Sequence, residues 1–100
     1  MEPEKPEAWI TTIIIDFNPV AFKHGITREQ IRWAVTHPLY DRMVEGADFK
    51  YLTIGPDQSG NLLEIIYNII EERHINVFHA MKCRKIFYPL IEIEEETWPK

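Results

Sequence analysis

Cysteine is almost missing from this sequence of 100 residues, since Cys83 is the only one. A single cysteine excludes an internal disulfide and a metal site made of several thiolates. The four histidines are scattered, and none forms an i, i+4 pair or an HExxH motif. We therefore predict no metal site and no cofactor, and we expect Cys83 to pack as a small hydrophobic residue.

Long hydrophobic runs are also lacking. The longest apolar stretch, residues 10–17, is interrupted by Thr11, Thr12 and Asp16, whereas a helix that spans a bilayer needs about 20 apolar residues. Residues 1–7 are acidic and rich in proline, unlike a secretory signal or an arginine-rich transit peptide. The sequence predicts a cytoplasmic protein without a membrane segment.

Two common catalytic motifs are absent as well. No GxxxxGK[ST] phosphate-binding loop is present. Ser59, the only serine, lies in the turn-forming segment 55–61 and has no nucleophile-elbow context. These absences argue against a P-loop nucleoside triphosphatase and against a serine hydrolase.

The net charge of −5 comes from the two ends of the chain. Residues 1–8 contribute −2 and residues 92–100 contribute −3, so residues 9–91 carry nine basic and nine acidic side chains and are neutral. We interpret 1–8 as an acidic, proline-rich tail, 9–91 as a single domain and 92–100 as an acidic C-terminal tail. A neutral body leaves room for a local basic site, such as Lys82, Arg84 and Lys85.

Apolar residues make up 45% of the sequence, which is enough for one hydrophobic core. β-branched and aromatic runs separated by turn-forming residues predict strands near 9–17, 39–44, 49–54, 62–70 and 74–80. The short turns between the later strands favour antiparallel pairing. We predict an α+β fold with a small antiparallel sheet of about four strands and two to three short helices packed on one face.

One helix has a clear local signature. Thr27 is a good N-cap, and Gln30 three residues later completes a capping box. Pro38 disfavours helical geometry at the residue before it. The helix is therefore predicted from about Arg28 to Thr36.

The segment 79–88 concentrates the residues that could carry chemistry. A histidine ends a predicted strand, and a helix predicted from Met81 to about Leu90 follows. Its apolar positions, with Ile86 among them, would pack on the sheet, and Pro89 would end or kink it. The polar candidates in this segment are His79, Lys82, Arg84, Lys85 and Tyr88.

These residue types suit RNA cleavage without a metal ion. Such a reaction needs a group that takes the 2′-hydroxyl proton, a group that protonates the leaving 5′-oxygen and cations that stabilise the charge on phosphorus. A structural interpretation is also open, because His79 would share a strand face with Ile75 and Val77 and could be a core histidine. The cations could form a solvated helix face, and Lys23 and His24 could have a capping role or belong to a site.

The order of several short motifs resembles the BrnT-like toxin family. These motifs, which lie between about Phe17 and Leu90, are Lys23-His24-Gly25-Ile26-Thr27, Tyr51-Leu52-Thr53-Ile54-Gly55, Gly60-Asn61-Leu62-Leu63-Glu64 and Val77-Phe78-His79-Ala80-Met81-Lys82-Cys83-Arg84-Lys85. The resemblance implies a RelE-related fold, a place in a type II toxin–antitoxin pair and cleavage of RNA. It implies a cognate antitoxin and RNA as partners, and a hetero-oligomer with the antitoxin.

The sequence is consistent with two functions. In the first, the protein is an endoribonuclease with His79, Arg84 and Lys85 as catalytic candidates, and Lys82, Lys23, His24 and Tyr88 bind RNA or phosphate. In the second, it is a non-catalytic protein-binding module that keeps the toxin fold, as the acidic ends and neutral body suggest. Pairing of Lys82, Arg84 and Lys85 with acidic residues 92–96 would favour the second.

Overall fold

The computed structural model describes residues 12–47 and 49–95. Five strands form one mixed sheet: β1 (Ile14–Phe17), β2 (Tyr40–Met43), β3 (Lys50–Pro56), β4 (Leu62–Glu71) and β5 (His74–Lys82). Their order across the sheet is β1-β5-β4-β3-β2. The α+β class and the antiparallel arrangement of β2 to β5 are as predicted.

The first strand departs from the predicted sheet. It lies at the edge, parallel to β5, with Ile14 opposite His74 and Phe17 opposite Val77. The sheet therefore has five strands and is mixed, where about four antiparallel strands were predicted. A 3₁₀ helix (Pro19–Phe22) and an α-helix separate β1 from β2, so the chain crosses to the opposite edge instead of turning back in a hairpin.

The helix α1 (Arg28–Thr36) has the predicted bounds. The Thr27 hydroxyl accepts a hydrogen bond from the backbone amide of Gln30 at 3.1 Å, and the Gln30 side chain accepts one from the backbone amide of Thr27 at 2.9 Å. The capping box is thus complete. Before it, Gly25 has a φ of +83°, the left-handed conformation that glycine adopts most easily.

The main core lies between α1 and one face of the sheet. Its buried side chains come from α1, β1, β4 and β5, and they include Ile31, Ala34, Ile65 and Val77. Gly55 of β3 lies on this face, where a Cβ would stand 2.5 Å from the carbonyl oxygen of Ala34. The absence of a side chain at position 55 lets helix and sheet approach each other.

A second cluster covers the opposite face, so the prediction that the helices pack on one face is wrong. Leu52, Ile54 and Cys83 are buried there, beneath the C-terminal helix α2 (Tyr88–Glu95) and the short 3₁₀ helix before it (Lys85–Phe87). Cys83 is 5% exposed and packs as a small hydrophobic residue, as expected. Successive residues of β3 point to opposite faces, which separates the two clusters.

The helix predicted from Met81 to Leu90 is also wrong. β5 continues to Lys82, because Met81 and Lys82 pair with residues of β4. Ile86, predicted to pack, is 74% exposed. Pro89 lies in the first turn of α2, where a missing backbone N–H costs no hydrogen bond, so it fits the start of a helix.

The C-terminal helix extends into the predicted C-terminal tail. α2 extends to Glu95, so the first four residues of the predicted C-terminal tail belong to a helix. Residues 1–11, which include the whole predicted N-terminal tail and the predicted start of the first strand, lie outside the described residues, as do 96–100. Within the described ranges, no helix is long and apolar enough to cross a membrane.

A β-bulge decides where His79 points. Tyr67 of β4 pairs with Val77, whereas the preceding Ile66 pairs with His79, so Phe78 is an extra residue. The extra residue reverses the alternation of side chains along β5. His79 therefore lies on the face opposite Val77, and the prediction that both share a face is wrong.

The turn-forming segment 55–61 is organised by a buried carboxylate. Asp57 accepts hydrogen bonds from the Gln30 side chain at 2.9 Å, from the backbone amides of Ser59 and Asn61 at 2.9 Å each, and from the Asn61 side chain at 3.2 Å. These bonds, led by that from Gln30, lower the pKa of Asp57 to about 2. The loop is thereby tied to α1.

Replacing Gly55 with alanine tests the contact between helix and sheet. Because the new Cβ would overlap a backbone oxygen that cannot rotate away, we expect Gly55→Ala to lower the free energy of unfolding by about 1–3 kcal/mol. Urea unfolding followed by circular dichroism measures the change. Ser59→Ala, at an exposed loop position, is the control and should stay within about 0.5 kcal/mol of the wild type; equal stability of all three proteins would contradict the prediction.

Acid unfolding tests the role of Asp57. Its pKa is below the ordinary value of 3.8, so the carboxylate stabilises the fold above that pH and loses this contribution as pH falls towards about 2. We expect Asp57→Asn to be less stable than the wild type at pH 7, with the difference shrinking between pH 4 and pH 2. A difference in urea midpoint that is the same at both ends of this range would show that the charge of Asp57 does not contribute.

Candidate active site

Glu64 lies at the centre of the candidate site. It is the one acidic residue in the otherwise apolar stretch 62–67 of β4, and its side chain is fully buried. It pairs with Ile54 of β3 and Met81 of β5, on the sheet face opposite α1. A buried carboxylate without partners would be strongly destabilising, so its contacts determine whether the fold tolerates it.

Arg84 supplies most of these contacts. Its Nη2 lies 2.7 Å from Oε2 of Glu64, its Nε lies 3.1 Å and 3.2 Å from the two oxygens, and its backbone amide donates to Oε1 at 2.9 Å. Burial opposes ionisation of Glu64, but the bonds from Arg84, joined by one from His79, outweigh it and lower the pKa of Glu64. The same bonds raise the pKa of Arg84. The pair is ionised at neutral pH.

His79 is the second partner of the carboxylate. Its Nε2 lies 2.9 Å from Oε2 of Glu64, and 23% of its side chain is exposed. Because the carboxylate accepts a hydrogen bond, Nε2 carries the hydrogen in this contact. Nδ1 has no hydrogen bond with the part of the chain that the structure describes, so in the neutral ring it is a free acceptor.

His24 adds a second imidazole. Its ring centroid lies 5.9 Å from that of His79, with the ring planes at 75°. The 3₁₀ helix Pro19–Phe22 packs along β5 and is capped by Asn18, whose side chain accepts a hydrogen bond from the amide of Val20. This helix and the turn at Gly25 bring His24 to His79 from the edge of the sheet.

The remaining predicted site residues are more dispersed. Lys85 is exposed and begins the 3₁₀ helix that follows Arg84. Lys82 is exposed but pairs with Leu63, so it lies on the sheet face opposite Glu64. Lys23 is exposed beside His24, and Tyr88 packs against the second cluster. The structure therefore joins His79, Arg84 and His24 into one site, with Lys23 and Lys85 at its borders.

Cys83 lies beside this site but is not suited to attack a substrate. Burial, together with the charge of Glu64, raises the pKa of its thiol. The thiol donates a weak hydrogen bond to the backbone oxygen of Arg84 at 3.6 Å. A thiol that stays protonated is a poor nucleophile.

Glu64 is a residue of the candidate site that the sequence analysis did not assign. It ends the Gly60–Glu64 motif of the family resemblance and is a charged residue inside an apolar strand, and both are signals. Its partners, however, are 15 and 20 residues away along the chain. No local pattern links residues at those separations.

The arrangement resembles the base half of an acid–base site. A buried carboxylate holds one imidazole nitrogen and leaves the other directed away from it, the same logic by which an aspartate orients a catalytic histidine. A second imidazole and a half-exposed guanidinium are close by. In the described part of the chain, no group of three or more histidine, cysteine, aspartate or glutamate side chains is placed to hold a metal ion.

The stability of the ion pair can be tested with a double substitution. Arg84→Met would leave Glu64 buried without its main partner, so we expect a lower urea midpoint than in the wild type. In Arg84→Met/Glu64→Leu the buried charge is also removed, and we expect the midpoint to recover at least in part. The single variant Glu64→Leu completes the comparison. If Glu64→Leu lowers the urea midpoint by the same amount in the wild type and in Arg84→Met, the two residues are not coupled.

One solved structure supports the fold assignment. The chain is similar to the crystal structure of the Brucella abortus ribonuclease toxin BrnT, with a TM-score of 0.53, 11% sequence identity, and coverage of 74% of this chain and 100% of that chain. No protein-family model and no curated protein matches the sequence. At this identity the similarity concerns the fold, so the protein has a fold like that of the BrnT toxin.

Proposed function

We propose that this protein is the toxin of a type II toxin–antitoxin pair, related to RelE, that cleaves RNA in the cytoplasm without a metal ion. The observation that carries the proposal is the geometry of His79, whose imidazole is oriented by the buried carboxylate of Glu64 and whose Nδ1 has no hydrogen bond to a described residue. The similarity in fold to a ribonuclease toxin supports it.

The reaction that fits this site is attack of a ribose 2′-oxygen on the adjacent phosphorus. His79 Nδ1 takes the 2′-hydroxyl proton as the bond between the 2′-oxygen and phosphorus forms. The bond from phosphorus to the 5′-oxygen breaks, and His24, 5.9 Å from His79 between ring centroids, supplies the proton for that oxygen. The products are a 2′,3′-cyclic phosphate and a free 5′-hydroxyl.

Cations around the histidines would stabilise the charge on phosphorus. Arg84 uses Nε and Nη2 for Glu64, while its Nη1 has no hydrogen bond to a described residue and 54% of the side chain is exposed. Nη1 can therefore face a phosphate. Lys85 and Lys23 lie at the borders of the site and add positive charge. Lys82 is on the other face of the sheet, and Tyr88 packs against the second cluster.

The hydrogen bonds of Glu64 support the proposal that no metal ion is needed. A carboxylate is the ligand that Mg²⁺ prefers in nucleases, but both oxygens of Glu64 accept hydrogen bonds from Arg84, and one also accepts from His79. Acid–base chemistry by imidazoles does not need the ion.

We further propose a cognate antitoxin that binds the toxin as a hetero-oligomer. The simplest neutralising contact covers the exposed cations Arg84 and Lys85, because it occludes the charge that RNA needs. Arg84 is already paired with Glu64 inside the fold, and the side chains of residues 92–95 lie outside the described ones.

Expression with tight induction tests the function. We expect the wild type to arrest growth and the purified protein to cleave RNA in the presence of EDTA, with 2′,3′-cyclic phosphate ends. His79→Ala should lower the cleavage rate by about 100-fold or more, the usual contribution of a general base. Full growth and intact RNA with the wild type would contradict the proposal.

His74 offers a matched control for this experiment. It also lies on β5 and also binds a carboxylate, since its Nε2 is 2.9 Å from Oδ2 of Asp16. His74→Ala removes a similar histidine–carboxylate contact outside the site, so its cleavage rate should stay close to that of the wild type. If His74→Ala and His79→Ala lose activity equally, the loss reflects stability and not catalysis.

A second candidate function is a non-catalytic protein-binding module. It is favoured by apolar exposure at the β2–β3 hairpin, where Phe49 is 71% exposed and Met43 54% exposed. Phe49 also has a φ of +59°, an uncommon conformation for an aromatic residue. Stable capture of a co-encoded protein that requires Phe49, together with no RNA cleavage, would favour this function.

A further inference from the structure

An arginine and two aromatic rings form a cluster at the edge of the sheet near His24. Phe17 ends β1 and Phe22 ends the first 3₁₀ helix, and their ring centroids are 5.5 Å apart. The guanidinium carbon of Arg28 lies 5.1 Å from the centroid of Phe17 and 5.4 Å from that of Phe22. Both rings are half-buried, so the cluster combines a fixed aromatic surface with an exposed cation.

A groove opens beside this cluster, between β1 and the N-terminal half of α1. It has a volume of about 320 Å³ and is lined by Ile15, Phe17, Arg28, Glu29 and Arg32. Arg28 and Arg32 are four residues apart on α1 and therefore lie on the same side of the helix. The groove has one apolar wall and two cations.

Few of the described residues can neutralise the charge of the two arginines. Neither forms a salt bridge with any residue that the structure describes, and Arg32 makes one long hydrogen bond of 3.4 Å from Nη1 to the backbone oxygen of Ile13. Glu29 is the single acidic residue of the groove lining. Exposed arginines beside aromatic rings are well suited to nucleotides, since the guanidinium binds phosphate while a ring stacks on a base.

The groove and the proposed active site lie along the same edge of the sheet. Phe22 is two residues before His24, which contacts His79, and Phe17 is paired with Val77, two residues before His79. Because His79 and the groove lie on opposite faces of the sheet, a single-stranded chain that reaches both would pass around this edge, past Lys23.

We infer that this groove, which we name the Arg28 groove (Ile15, Phe17, Arg28, Glu29 and Arg32), binds a nucleotide of single-stranded RNA next to the scissile phosphate. The inference rests on the proposed ribonuclease function and adds a substrate-binding subsite to it. One base packs against Phe17 in the groove, and Arg28 and Arg32 hold the adjoining phosphates. The site would recognise the backbone and a base face, with little preference for sequence.

Binding of an uncleavable oligonucleotide tests this inference without relying on catalysis. The probe is a fluorescent single-stranded RNA of eight nucleotides with 2′-O-methyl groups, and fluorescence anisotropy measures its affinity. We expect Arg28→Ala to weaken binding by about 5- to 20-fold, in the range for loss of a stacking or phosphate contact. The slope of log affinity against log salt should fall in magnitude by about 0.7, the value for one phosphate of a single strand.

Arg42→Ala is the matched control. Arg42 is also exposed and also lies over an aromatic ring, with its guanidinium carbon 5.9 Å from the centroid of Tyr40, but it belongs to β2 at the opposite edge of the sheet. Its substitution removes the same charge and the same type of contact. Equal losses of affinity in Arg28→Ala and Arg42→Ala would show nonspecific attraction and overturn the inference.

A crosslink locates the RNA directly. The same oligonucleotide with 4-thiouridine should crosslink to the peptide that contains Phe17 and Phe22, and a crosslink confined to any other peptide would overturn the inference. If Arg28→Ala keeps full RNA affinity but no longer binds a co-encoded antitoxin, the groove is a protein-binding surface and the inference is wrong. A wild type that binds through the groove but does not cleave RNA would contradict the proposed catalysis alone.

Discussion

The buried carboxylate of Glu64 is the constraint around which the site is built. A fully buried charge is tolerated only when its hydrogen-bonding capacity is used, and here Arg84 and His79 use it through five contacts. One of these contacts comes from the backbone of Arg84, so the carboxylate also fixes the path of the chain where β5 ends. Glu64 thus accounts for the ion pair with Arg84, for the path of the chain at the end of β5 and for the orientation of His79.

The bulge at Phe78 is what makes this arrangement possible. Before the bulge, Ile75 and Val77 of β5 point towards α1 and join the main core. After it, His79 points to the opposite face and reaches Glu64. Without the extra residue the alternation would continue, and His79 would lie in the core beneath α1. The bulge thus places the first half of β5 against the core and His79 in the candidate site.

The two faces of the sheet then have different roles. The face under α1 holds most of the apolar side chains and the close approach at Gly55. The other holds a smaller apolar cluster under α2 next to Glu64. The 3₁₀ helix Pro19–Phe22 runs along the edge between them and brings His24 to His79. The proposed RNA path, from the Arg28 groove to the histidines, follows this edge.

Features that depend on neighbouring residues were predictable from the sequence. The helix Arg28–Thr36 was predicted with its bounds because a capping box acts within four residues, and the antiparallel strands were predicted because short polar turns permit only a hairpin. His79 and Arg84 were identified by their chemical type and by the family resemblance. Their geometry was not, because it depends on contacts with Glu64 across two strands.

Long-range contacts fix two features that local patterns did not predict: the residue at which the C-terminal segment changes from strand to helix, and the sheet face that His79 occupies. Helical spacing in the sequence suggested a helix from Met81, but pairing with β4 extends the strand to Lys82, since cross-strand hydrogen bonds outweigh local preference. The parallel position of β1 likewise depends on a partner about 60 residues away. Local sequence patterns determine most of the helices and strands of this protein. The candidate site depends on strand pairing and side-chain contacts around the buried carboxylate of Glu64, which join residues far apart in the chain.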